Sequence, residues 1–271
     1  HDLFRKVVKT YLERHRHGNV VTDNLRAVIE ELSGKSYDRF FDQYVYHAHH
    51  PELKVDYSWD AKTKLAKLSV KQEQKVDDKV MLFHLKLPVA FKVGKKTVLR
   101  SVEISKVSED YYFALPVAPK IVRVDPDLTL LAKITFAPPA SMLHAQLLGL
   151  EDVVGRLLAV EQLAKKKDAG TVEKLKIALN EDPFHAVRMA ASKALREIAT
   201  EPSFEALVKA KEQDDARVRR QVIGDVGSFY KPEALAFLKK MLAGEKNPSV
   251  RSAAINGLAG YDDAENGKLI T

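Results

Sequence analysis

The sequence predicts a multi-domain α and β chain: a short helical segment, then an all-β sandwich, then an all-α superhelical repeat. Three observations predict it. Apolar residues recur at the helical period up to residue 50, alternate with polar ones from 51 to 137, and return to helical spacing from 138 in a pattern that repeats. The length of 271 residues and a hydrophobic content of 45% allow more than one buried core.

The first element begins with Leu3, Phe4, Val7, Val8, Tyr11 and Leu12 on one helical face, ended by Gly18-Asn19. Thr22 stands where the next helix needs an N-cap, and Asp23 falls in the first turn, where it complements the dipole. Leu25, Val28, Ile29 and Leu32 make the stripe of that helix, and Gly34 stops it. Ser36 is placed to cap a third helix carrying Tyr37, Phe40, Phe41, Tyr44 and Val45, and Pro51 marks the exit into extended chain. Three helices of this size bury little alone, so their apolar faces require a partner.

From residue 51 the period changes to two. Leu53, Val55, Tyr57 and Trp59 share one face; Ala66, Leu68 and Val70 form a second strand, Met81 to Leu87 a third, and Val98 to Ile104 a fourth. Tyr111 to Leu115, Ile121 to Val124 and Leu128 to Phe136 supply the rest. Six to eight short strands with turns such as Asp77-Asp78 and Gly94-Lys95 suggest an immunoglobulin-like sandwich of two sheets. Pro88 cannot donate to a ladder and is expected at an edge or a bulge.

Pro138-Pro139 ends the sandwich. Beyond it, Arg156-x-x-Ala159-x-x-x-Leu163 recurs from Arg188, from Arg219 (with Val222 and Val226) and from Arg251, at steps of 32, 31 and 32 residues. Second helices fall between the copies at Val172 to Leu179, Phe204 to Lys211 and Ala234 to Leu242. A helix pair repeating at this length reads as a solenoid, in which stacking buries what one pair cannot, and the pattern resembles HEAT repeats. The four arginines are expected to bond carbonyls or turn carboxylates of adjacent repeats. Gly224 and Gly227, and likewise Gly257 and Gly260, fall inside the repeat and read as helix contacts rather than a phosphate cradle.

The first sixty residues also resemble a family. Thr22-Asp23-Asn24-Leu25, then Glu30 through Val45 (EELSGKSYDRFFDQYV), then Pro51-Glu52-Leu53-Lys54-Val55 are similar to the zinc aminopeptidases related to aminopeptidase N and leukotriene A4 hydrolase. Gln72-Glu73-Gln74 resembles the Gln-containing strand of the same family. Tyr44 replaces the family's usual Trp, and His49-His50 its usual Gly before the Pro. The resemblance implies three parts: residues 1–50 as the helical end of a thermolysin-like catalytic domain, 51–137 as the sandwich, and 138–271 as the HEAT-like array. It also implies a parent that removes N-terminal residues from peptides with zinc-activated water, the array walling and capping the substrate cavity. The partners implied are the upstream catalytic domain of the same chain and, in the parent, peptides.

The catalytic elements themselves are expected elsewhere. A water-activating zinc site needs two His one helical turn apart, a Glu between them and a distant Glu ligand. No His here is followed by Glu, and no Gly-x-Met-Glu-Asn element occurs, so no catalytic, cofactor-binding or metal residue is assigned and zinc is expected only in the parent. The chain starts with His1 rather than Met, and it is expected to be an excised C-terminal portion that is inactive alone. The alternative is a scaffold or interaction region of an aminopeptidase-like protein that has lost its zinc site, as in a transcription-machinery subunit of similar architecture. A free-standing repeat protein would leave the first helices unexplained.

Remaining features point to no other chemistry. The absence of Cys excludes disulfides and thiol catalysis and leaves the compartment open, a cytoplasmic one being favoured. No apolar run approaches the ~20 residues of a membrane span, so no membrane partner is expected. The net charge of +7 divides as +1, +5 and +1 over residues 1–50, 51–137 and 138–271. Its excess consists of lysines on expected strands and turns, from Lys62 to Lys96, without Arg-aromatic clusters; a solvated sheet face is the reading, and no nucleic-acid partner. His15 with His17, and His47 with His49 and His50, read as solvated side chains and a turn rather than metal ligands. Ser141 with His144 lacks a third group to orient a base, so Ser141 reads as a helix cap, and Lys165-Lys166-Lys167 as a solvated helix end.

Overall fold

The computed structural model describes residues 1–210 and 212–261. The observed order is helices, two small β-sheets, and a helical array, which is the fold class the sequence predicts. Contacts divide the chain into two compact units. The first holds residues 1–90, 97–118 and 124–136; the second holds 91–96, 119–123 and the chain from 137 onward.

In the first unit, α1 (Asp2–Arg14) and α2 (Thr22–Ser33) are joined by Arg14, which donates to both Glu31 oxygens at 2.7 and 3.0 Å. The cap of α2 lies one residue earlier than the sequence suggests. Val21 is the N-cap, and its N–H is taken by Asn24 Oδ1 at 2.8 Å, so Thr22 is the first helical residue. Gly34 closes the helix in the left-handed region at φ 66°. Ser36 accepts from the Asp38 N–H at 3.2 Å, although Tyr37 is the N-cap of α3 (Asp38–Phe41). The chain then widens into a π-helical turn over Asp42–Tyr46, which no sequence period announces.

That turn buries Gln43 and lays Tyr44 5.8 Å from the Phe83 ring. Here the structure departs from the expected third strand. Residues 81–84 carry no strand, and β3 is Leu85–Val93. Side-chain amides supply their hydrogen bonds instead. Gln72 donates to the Phe83 carbonyl and accepts from the Phe83 N–H, both at 2.9 Å, and also donates to Lys106 O at 3.2 Å. Gln43 does the same for His84, donating to its carbonyl at 3.1 Å and accepting its N–H. Gln74 completes the set, donating to Gln72 Oε1 at 2.8 Å and accepting from Glu52 N at 3.2 Å. A glutamine amide presents a donor and an acceptor side by side, as a peptide unit does, so three buried glutamines replace a length of ladder.

The four-stranded sheet has the order β5-β2-β1-β7, with β1 Glu52–Asp60, β2 Leu65–Gln72, β5 Ser108–Ala114 and β7 Lys133–Phe136. β1 runs antiparallel to β2, with Val55 opposite Val70, and parallel to β7, with Leu53 opposite Ile134. The second sheet has the order β4-β3-β6, with β4 Lys96–Ile104 and β6 Ile121–Val124. Pro88 therefore lies in a central strand rather than at an edge. It is tolerated because pairing with β6 runs out there: the Pro88 carbonyl accepts from Asp125 N at 2.8 Å, and Asp125 turns left-handed at φ 44°. The last expected strand is short for the same local reason. Asp125 turns its carboxylate on the Thr129 and Leu130 N–H groups, at 2.9 and 3.0 Å, which holds the following chain as a loop.

Among the described residues the second unit stacks four helix pairs: α4 (Ala140–Leu147) with α5 (Val153–Leu163), α6 (Ala169–Glu181) with α7 (His185–Ile198), α8 (Glu201–Lys209) with α9 (Ala216–Gly227), and α10 (Pro232–Gly244) with α11 (Pro248–Leu258). Lys211, given as the end of one second helix, lies outside the described residues. The repeat's small and apolar positions, Ala159, Leu163, Ala191, Leu195, Val222, Val226, Ala254 and Leu258, are all fully buried in one continuous core. The arginines form a ladder. Arg156 donates to Leu150 O at 2.7 Å and lies 2.7 Å from Asp182; Arg219 donates to Gln213 O and Glu245 Oε2, both at 2.8 Å. Arg251 donates to Leu242 O at 3.0 Å and to Glu245 O at 3.3 Å, and Arg188 to the Gln213 side chain at 3.4 Å. Arg156 and Arg219 thus tie their own turn to that of the next repeat, Arg188 reaches Gln213 of the next repeat, and Arg251 bonds its own turn, with Gln213 standing where Asp182 and Glu245 stand in other repeats.

The two glycine pairs separate into packing and open positions. A methyl at Gly257 would meet both Leu238 methyls at 3.0 Å, and one at Gly227 would meet the Gly257 Cα at 3.3 Å, whereas Gly224 has nothing within 4 Å. Gly257→Ala is expected to cost about 1–2 kcal/mol by overpacking. Gly224→Ala is expected to gain about 0.5–1 kcal/mol from helix propensity. Thermal melts of the two variants check both signs, and equal shifts would contradict the packing described.

Candidate functional site

Two surfaces stand out, one in each unit. On α1 the apolar stripe points outward: Phe4 is 69% and Leu12 62% exposed, Leu3 and Val8 lie beside them, and of the six apolar positions only Val7 is buried. Val21, at the start of α2, is 67% exposed. Spacing of four residues from Phe4 to Val8 to Leu12 makes this a continuous stripe rather than scattered residues.

The second surface is a groove of about 870 Å³ between α9 and α11. Its walls follow the repeat register. Arg217 and Ser249 stand two residues before the repeat arginine, Arg220 and Ser252 one after it, and Gly224 and Asn256 five after it, in the same order along both helices. The sequence reading missed these residues, although their fixed offset from Arg219 and Arg251 is a signal that could have found them. Among the described residues, no Asp or Glu lines the groove. At its rim Asp215 accepts from the Arg217 guanidinium at 2.6 and 3.0 Å, and that pairing holds the Asp215 carboxyl well below the usual range. Behind the groove wall, burial raises the Asp225 carboxyl, which accepts from Ser192 at 2.6 Å and pairs with Arg196 at 3.2 Å.

The histidines do not converge on a shared ligand position, although the His49 and His50 rings stack with centroids 4.9 Å apart. His15 lies against Tyr11, and His17 has a left-handed φ of 62°. His47 Nδ1 lies 3.1 Å from Asp42, and His49 Nε2 3.1 Å from Glu52. The φ of 76° at His49 breaks the extended conformation that would have set it beside His47. Ser141 lies inside the first turn of α4, whose N-cap is Pro139, so it is not the cap expected. His144 is hydrogen-bonded to Thr171 at 3.1 Å, and Thr171 donates to Asp168 at 2.8 Å. Lys165-Lys166-Lys167 follow the end of α5. Among the described residues, no three His, Asp or Glu side chains are grouped to hold a metal ion, so a zinc ion finds no ligand set in them. Nor is any helix among them long and apolar enough to cross a membrane.

Comparison with known proteins agrees with this architecture. Residues 140–223 and 205–269 match a family model described as HEAT repeats. No curated protein matches the sequence. Among solved structures, the fold is similar to that of Legionella pneumophila aminopeptidase A in complex with aspartic acid, with a TM-score of 0.65 and 12% identity. The match covers 99% of this chain and 38% of that one. At this identity the likeness is one of fold. The chain has the architecture of part of an aminopeptidase, ending in HEAT repeats, and spans well under half of that enzyme's length.

Proposed function

We propose that this chain is the non-catalytic C-terminal region of a zinc-dependent aminopeptidase-like protein, and that it shapes and caps the peptide-binding cavity of its parent. The exposed stripe of α1 carries this reading. A face of Leu3, Phe4, Val8 and Leu12 left in water is unfavourable by roughly 25 cal/mol for each Å² of apolar surface, and it suits a surface made for another body. The fold match supports an upstream catalytic domain as that body, because it covers only 38% of the aminopeptidase. Zinc and the general base would lie upstream. The residues of this chain would contribute the wall of the cavity and the packing that orients it.

The test uses the 271-residue chain beside a version extended upstream. Phe4→Glu with Leu12→Lys is expected to leave the short chain's stability within about 0.5 kcal/mol, as for exposed sites, while reducing its binding of a hydrophobic dye. In the extended protein the same pair is expected to cost about 3 kcal/mol or more, because those side chains are then buried. Chelator-sensitive release of a chromophore from aminoacyl anilides should occur with the extended protein only. Turnover by the short chain, or a large loss of its stability in the double variant, would refute the reading. An extended protein with substituted His-Glu-x-x-His positions and no turnover would place the chain in the scaffold class instead.

A further inference from the structure

We infer that the groove between α9 and α11 binds the acidic, extended segment of a polypeptide, whether or not the parent is a peptidase. Charge makes the first argument. Two guanidiniums, Arg217 and Arg220, line a groove that has no carboxylate in its walls among the described residues. Arg217 already holds Asp215, whereas Arg220 makes no ion pair or hydrogen bond among the described residues. An exposed, unneutralised guanidinium in a concave site is a carboxylate receptor by geometry and charge. The helix N-termini add little hydrogen bonding, since Asp215 caps α9 and Asn247 caps α11 and their first amides are taken.

The shape makes the second argument. Gly224 leaves open floor beside Arg220, where an added methyl would meet no atom within 4 Å, so a peptide backbone can approach the helix closely. Ser249, Ser252 and Asn256 along the facing helix offer donors and acceptors to an extended backbone. At the equivalent positions of the first repeat stand Val154, Leu157 and Glu161. The second repeat has Ala186, Met189 and Lys193 there, so the combination of guanidinium, hydroxyls and glycine floor belongs to the last two described repeats rather than to the array as a whole.

The experiment measures anisotropy of labelled short peptides of Gly, Ser and Glu with the 271-residue chain, against an isosteric Gln series and a single-stranded oligonucleotide. The Glu peptide is expected to bind at least tenfold tighter than the Gln peptide and to weaken as salt rises. Arg220→Ala is expected to weaken it about tenfold. Gly224→Leu, whose Cβ meets no atom within 4 Å, is expected to abolish binding while the melting temperature does not fall, helix propensity adding a little stability. Equal affinity for Glu and Gln peptides, or insensitivity to both substitutions, would overturn the inference. So would tighter binding of the oligonucleotide with the same sensitivity, which would make the groove a polyanion site.

Discussion

Replacing Arg156 by Met is expected to destabilise the helical unit by about 3–5 kcal/mol, the largest effect of any single substitution in the array. Arg156 is 1% exposed, and its guanidinium binds the Gly149 and Leu150 carbonyls and Asp182. Removing it strands the Asp182 carboxylate, itself buried, without its counter-charge, leaves the Leu150 carbonyl without a donor, and leaves the Gly149 carbonyl only the Asp152 N–H at 3.5 Å. The pair as a whole is not the source of the effect, since two desolvated charges recover little more than they lose. Arg156→Met with Asp182→Leu should therefore regain much of the stability lost by Arg156→Met alone. A urea titration of the four proteins in a double-mutant cycle checks both statements. A loss below about 1 kcal/mol for Arg156→Met would show that water reaches the pair, contrary to its burial.

Replacing Gln72 by Ala is expected to cost the first unit about 3–5 kcal/mol, because it leaves two buried main-chain groups unpaired at about 1–3 kcal/mol each and a third, part-buried one without its donor. Those groups are the Phe83 N–H, the Phe83 carbonyl and the Lys106 carbonyl. Gln72→Glu keeps the shape and the acceptor for Phe83 N–H but removes the donor and buries a charge, so it should not rescue stability at neutral pH. Amide exchange at Phe83 and His84 offers a local reading: protection should fall in both variants. If either variant keeps the parent's denaturation midpoint, residues 81–84 are held by something other than the glutamine set.

These two sites differ in how far the sequence reveals them. Arg156 was legible because it recurs: Arg188, Arg219 and Arg251 hold the same place relative to a small residue and an apolar one, and a repeated register implies a repeated contact. Gln72 stood out only through family resemblance. Its partners at Phe83 and Lys106 lie 11 and 34 residues away, with nothing in their own side chains to mark them. Met81 to Leu87 alternates well enough to read as a strand, yet side-chain amides took over the hydrogen bonding at residues 81–84 and left the backbone irregular. The π-helical turn at Asp42–Tyr46 escaped for a similar reason, since its widening is set by seating Gln43 and Tyr44 on the sheet segment and not by local propensity.

By itself the sequence determined the three-part order, five of the seven described strands to within a few residues, the helical repeat and its arginines. Period and turn chemistry are local, and they survive in any context. Tertiary structure alone decided what the surfaces became. Whether the stripe of Leu3, Phe4, Val8 and Leu12 is covered, whether β7 lies parallel to β1, and whether Arg220 and Gly224 meet Ser252 and Asn256 across a groove depend on contacts between residues far apart in the chain. Those contacts are chosen by which faces are buried together, a condition that no short window of sequence contains.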